Sequence, residues 1–386
     1  MQNTAQVPRS ARVRLEVVAA SSEPTLVRGR RLTGPLAALG AVLVLPALAT
    51  AAGRERTGPD PEASRLADTQ LDSAFVIAQP TALARLRGFV LTPAQFVPLA
   101  LAQLGALWLI VGTGAAVRLT DSGLGCRHWP GCEEGHPLPA KDAHAFVEFG
   151  NRLVGGLTIA ITLLTWLAAR RTRALPPWAV RLALAVFLGT LAQAPIGLLA
   201  VATDLRWPIV MVHLLLSVAL LAGATVLAIE ARSAQVGRVR ACVPRELQRL
   251  GLAAAAACFA LIVGGSLATA AGPHSGGGRA DKIDRLGTLE PFVYTHAVIV
   301  GIFLCTFLFT LGYLASRRDR SPRLFALALG VLAVLLVQMG LGELQWRTHL
   351  PWGLVLVHVF VAAVVWVGTV ALATLLFRPN VDFADR

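Results

Sequence analysis

Charge is scarce in this chain: 15% of its 386 residues are Asp, Glu, Lys or Arg, while 55% are hydrophobic. So little charge does not give the surface of an ordinary soluble domain. With a mean hydropathy of +0.64, it marks a polytopic membrane protein. Acidic residues are the rarer sign, 22 against 35 basic ones, which leaves a net charge of +13. That excess excludes a nucleic-acid role, because the arginines gather in short loops on alternate sides of apolar segments instead of forming one basic patch. A phosphate-binding loop, a dinucleotide fingerprint and a hydrolase elbow are all missing from any believable context. Cysteine is sparse too, five in all, so at least one is unpaired. Cys242 lies in an Arg-rich loop, and Cys258 and Cys305 lie inside apolar segments, which leaves Cys126 and Cys132 as the candidate pair.

What the chain does have is long apolar runs. Eight of them, near 96–118, 144–168, 177–201, 207–230, 247–271, 291–315, 322–341 and 350–376, are long enough to cross a bilayer as helices. The loops holding Arg170, Arg171 and Arg173, then Arg232, Arg238 and Arg240, then Arg317, Arg318 and Arg320 fall on one side. By charge bias that side is the cytoplasm, so both ends of the eight-span core are cytoplasmic. Residues 1–83 read as an N-terminal extension, disordered or the product of a start assigned too far upstream. Its apolar run, Leu36 to Ala52, follows Arg28, Arg30 and Arg31 and resembles a signal peptide or a short extra span.

The core repeats itself. Gln193 and Gln338 lie 145 positions apart, as do Gly197 and Gly342, Trp207 and Trp352, and His213 and His358; the same offset carries Asn151 onto His296. VGTGAAVRL at 111–119 resembles VGGSLATAA at 263–271. The expected architecture is all-α: two repeated four-helix bundles, 84–235 and 236–386.

Three histidines, His213, His296 and His358, fall inside spans near their outer ends. A single buried histidine commonly bridges two membrane helices. Two at matched depth on the second and fourth helices of one bundle, His296 and His358, instead suit the two axial positions of a haem. The first bundle has Asn151 and His213 at the matching places, giving iron one strong ligand and one weak or open position. Glu148 precedes Asn151 by three residues and Arg152 by four, so it is either a salt-bridge partner of Arg152 or a carboxylate at the edge of the site. Cys126 and Cys132 sit in an outer loop near His128, His136 and His144, compatible with a disulfide or with zinc. His274 and His349, in outer loops, are expected to be solvated.

These residues resemble the haem A synthase family over roughly 84–377, through VRLTDSGLGC, the second cysteine at 132, VEFGNRLVGG, MVHLLLS and LVHVFVA. The resemblance implies oxidation of the C8 methyl of haem O to a formyl group through a hydroxymethyl intermediate, with haem b as cofactor. By position, His296 and His358 match the haem b ligands, His213 the substrate-haem ligand, Glu148 the glutamate needed for catalysis, and Cys126 and Cys132 the loop cysteines that form a disulfide. Asn151 departs from the family, many members of which carry histidine there. The resemblance also implies haem O synthase and cytochrome c oxidase assembly as partners, in the cell (plasma) membrane. The electron donor is not named by any residue, and a homo-oligomer is compatible with the sequence. The readings without chemistry of their own are a two-haem membrane electron carrier and a haem-handling or transport protein.

Overall fold

The computed structural model describes residues 90–383, apart from 127, 129, 130, 134–137, 140, 141, 241, 242, 275 and 278–282. The N-terminal extension with its Leu36–Ala52 run, His136 and Cys242 lie outside the described residues. Eight helices follow one another: α1 (Pro93–Leu119), α2 (Ala143–Arg171), α3 (Pro177–Ala202), α4 (Trp207–Val236), α5 (Arg245–Ala271), α6 (Leu289–Ala315), α7 (Pro322–Arg347) and α8 (Trp352–Phe377). All eight are long and apolar enough to cross a membrane. The chain is an all-helical, multi-pass membrane protein.

Local chemistry explains where the helices begin. Thr92 and Gln95 form a capping box ahead of α1, and Asp142 accepts the Ala145 N–H ahead of α2. Proline occupies the cap or first turn of α1, α3, α4, α5, α7 and α8, where its missing N–H costs nothing. Inside the helices, hydroxyls turn back on their own backbone, as when Thr158 donates to Val154 O at 2.8 Å, so that little polarity reaches lipid.

Several helices outrun the spans expected from hydropathy. α2 continues to Arg171, α4 to Val236 and α7 to Arg347. Hydropathy marks the hydrocarbon layer, whereas helical hydrogen bonding continues past it into arginine-bearing ends. The outer loop expected at 342–349 therefore shrinks to 348–351, and Gly342 is helical. The α7–α8 turn and the α3–α4 turn share one backbone form, with positive φ at His349 and Leu350 and at Asp204 and Leu205.

In the first half, α1 packs on α2 and α4, and α3 on α2 and α4; in the second, α5 packs on α6 and α8, α7 on α8, and more sparsely on α6. The seam between them is made chiefly by α8, which also packs on α1 and α4. Two indoles fasten it: Trp108 donates to Phe360 O at 3.2 Å and Trp366 to Val218 O at 2.9 Å. The Phe360 ring lies over Gly112, where even a methyl group would fall 1.8 Å from ring atom Cζ. At the arginine-rich end, Glu230 is fully buried and accepts from Arg238 at 2.5 Å and Arg378 at 2.7 Å. Arg378 also stacks over Trp178, 4.6 Å from its ring centre. This cluster ties the end of α4 to the end of α8.

Candidate functional site

α2 brings Glu148, Asn151 and Arg152 to one face, as spacings of three and four residues require. The salt-bridge reading of Glu148 is realised. Its Oε1 accepts from Arg152 Nη2 at 2.5 Å, and its Oε2 accepts the Cys126 N–H at 2.7 Å. Yet Glu148 also lines a cavity of about 460 Å³ together with Asn151, Arg152 and His213, within the usual size of small-molecule sites.

Arg152 organises the outer loop. Nη1 donates to the carbonyls of His128 and Gly131, both at 2.6 Å, and Nη2 to that of Cys126 at 3.1 Å. Cys126 and Cys132 are disulfide-bonded, so their sulfurs bond each other and not zinc. His144 Nδ1 pairs with Ser122 Oγ at 3.0 Å. His274, expected in solvent, instead contacts Leu350 O through Nε2 at 2.8 Å and so ties the 272–288 loop to the start of α8; His349 is exposed as expected.

The histidines share a recurring arrangement in which each ring presses on a glycine of the neighbouring helix. A methyl group on Gly197 would lie 3.5 Å from His213 Cε1, one on Gly265 3.1 Å from His296 Cε1, and one on Gly342 3.2 Å from His358 Cε1. The Nδ1 atoms of all three are buried without a hydrogen-bond partner among the described residues. A buried imidazole nitrogen that no protein group satisfies leaves the ring available to a metal ion. The residues present therefore fit iron of a tetrapyrrole.

Asn151 differs from the histidines in its company as well as its chemistry. The residue that matches Gly265 in the first half is Thr113, and its hydroxyl donates to Asn151 Oδ1 at 2.8 Å. Threonine fills the room that a ring takes in the second half, and it occupies the asparagine oxygen. On α3, Gln193 donates to His213 O at 3.0 Å and Ser217 Oγ at 2.5 Å, fixing the turn that carries His213.

The cavity is mostly apolar, walled by α1–α4 and completed by Ser266, Thr269 and Ala270 of α5 and Val355 and Val359 of α8. Sequence reasoning missed Thr113, Arg118 and the structural work of Gln193. The signal for Arg118 was a guanidinium in the last turn of an apolar span; Gln193 had been noticed only as a marker of repetition.

A helical membrane bundle with one histidine at an apolar cavity and a pair of histidines in its second half is an arrangement that suits a membrane protein handling a metal-bearing ring. The family described as cytochrome oxidase assembly protein, COX15-CtaA, matches residues 98–274. The chain is 27% identical to the heme A synthase of Shewanella oneidensis over 296 residues, 65% of this chain and 87% of that relative. The heme A synthases of Geobacillus thermodenitrificans and Symbiobacterium thermophilum are 37% and 38% identical over shorter stretches, 28% and 26% of this chain and 33% of each relative. Over these stretches the chain is similar to the haem A synthase family.

Proposed function

We propose that this protein converts haem O to haem A in the first-half cavity, oxidising the C8 methyl to a formyl group through a hydroxymethyl intermediate. The observation that carries the reading is one cavity lined by His213, Asn151 and the otherwise buried carboxylate of Glu148. Taking a methyl group and one water to a formyl group releases four protons and four electrons, so the reading requires an external electron acceptor, reached through the second-half site. Glu148 is the carboxylate placed to take protons from attacking water or to stabilise positive charge as it develops. Arg152 and the Cys126 N–H fix its orientation, which limits reorganisation during the reaction. Thr113 holds Asn151 through its oxygen, so His213 is the side chain that would ligate the substrate iron.

His296 and His358 would hold haem b, which supplies a one-electron relay when bound. α8 supports that route, since it bears His358 while Val355 and Val359 on it line the substrate cavity. A single helix thus separates the two sites. The arginine-bearing ends of α2, α4 and α8 gather on one side with the start of α1, which supports a cell-membrane protein with both ends of its core cytoplasmic. Haem O synthase as supplier and cytochrome c oxidase as recipient belong to the same reading.

The test is haem extraction from membranes of a host that makes haem O, with and without this chain, followed by chromatography of haems B, O and A. Haem A should form with the native chain and fall to background with Glu148→Gln. Unchanged haem O beside purified protein rich in haem b would instead make the chain an electron carrier. Full haem A yield from the Glu148→Gln chain would remove the carboxylate from the chemistry.

A further inference from the structure

Arg118 takes no part in the reaction as proposed, yet its guanidinium lies in the wall of the same cavity. It stands in the last turn of α1. Nε donates to His274 O and Nη2 to Thr269 O, each at 3.2 Å, and both acceptors are uncharged carbonyls. Among the described residues it makes no ion pair, and Asp121, close to it in sequence, is not paired with it. The other charged groups of the cavity, Glu148 and Arg152, neutralise each other. Among the described residues one cation in this apolar wall is therefore without a counter-ion, where loss of hydration is unfavourable unless an anion joins it.

The side chain is also aimed. Gly276 packs against its stem, and a methyl group there would come 3.6 Å from Arg118 Cγ. The Gly276 carbonyl in turn accepts the Gly123 N–H at 2.7 Å, so two outer loops grip the residue. Nη1 has no protein acceptor among the described residues. Along the membrane axis, Arg118 lies at the outer end of α1, whereas His213 lies six residues into the adjoining α4, about 9 Å deeper. That offset is comparable with the reach from the centre of a tetrapyrrole to its carboxylate edge. The matching position in the second half is Ala270, which lines this same cavity, so the cation is a feature of the first-half site alone.

We infer that Arg118 is the carboxylate anchor of the cavity: it binds a propionate of the tetrapyrrole whose iron His213 holds, and thereby sets which edge of the ring faces Glu148. The inference rests on the proposed tetrapyrrole site. A charge-assisted pair replaces the missing counter-ion, and the hydrophobic edge of the ring is directed into the apolar depth.

The experiment titrates the purified full chain with haemin and with haemin dimethyl ester, following the Soret band. The first-half component is defined as the part that His213→Ala abolishes. The native chain should bind the diacid about tenfold or more tightly than the diester. Arg118→Gln should erase that preference while leaving diester affinity unchanged, and Arg118→Lys should restore part of it. Equal affinity for diacid and diester in the native chain, a test that needs no substitution at Arg118, overturns the anchor. So does an Arg118→Gln chain that weakens both ligands alike, which marks a structural residue. Absence of any His213-dependent binding removes the tetrapyrrole site itself, an outcome distinct from equal binding of the two forms.

Discussion

Removing Arg152 tests whether the Glu148 carboxylate and the disulfide loop form one unit. In Arg152→Ala, the carbonyls of Cys126, His128 and Gly131 lose a charged donor, and Glu148, 4% exposed, keeps backbone N–H donors but no counter-ion. Breaking a buried, hydrogen-bonded pair by deleting one member costs about 3–5 kcal/mol. Glu148→Gln should cost less, about 1–2 kcal/mol, because its amide oxygen still accepts from Cys126 and Arg152, though without its counter-ion, keeps three carbonyl acceptors. Combining the two should recover about 1–3 kcal/mol of the summed cost, since residues sharing a network are not additive. The midpoint and slope of SDS-induced unfolding in mixed micelles would measure all three variants. Additivity within about 0.5 kcal/mol would show that Arg152 and Glu148 act independently and would refute this account of the loop.

Three other perturbations bear on separate parts of the fold. Gly342→Ala should push the His358 ring out of register and lower haem b retained on purification, while Gly330→Ala, with open space around it, should retain it fully; pyridine haemochrome content per chain decides. Asn151→His combined with Thr113→Gly should turn the first-half site into a bis-histidine one, seen as a low-spin signal by electron paramagnetic resonance, whereas Asn151→His alone meets the threonine and should convert poorly. At the opposite end, Glu230→Ala should cost only about 1 kcal/mol by SDS unfolding, since Arg238 and Arg378 are 39% and 43% exposed and regain water; removing both arginines should cost about 3–5 kcal/mol by stranding Glu230.

Hydropathy made the eight spans legible, and the 145-residue offset made matched depths for His213 and His358 legible before any coordinates. Helix ends were less so, because Arg171, Val236 and Arg347 lie where helical hydrogen bonds outlast hydrophobicity. The Glu148–Arg152 pair was written in its spacing, but its grip on three loop carbonyls was not, since those acceptors are backbone groups that every sequence possesses. Thr113 escaped notice for a related reason. Its meaning lies in what Gly265 does at the equivalent place, and that comparison acquires content only when the neighbouring side chain is seen. Arg118 needed the third dimension entirely, because its two acceptors lie more than 150 residues away in the chain.

The position of α8 has a consequence for how the protein is made. It is the last of the eight helices to leave the ribosome, yet it packs on α1, α4 and α5 and supplies Val355 and Val359 to a cavity otherwise built by residues synthesised long before. Until it inserts, Trp108 and Val218 lack their partners across the seam, and the wall of the first-half site stands open to lipid. Completion of that cavity is thus a late event in biogenesis, timed by translation of α8.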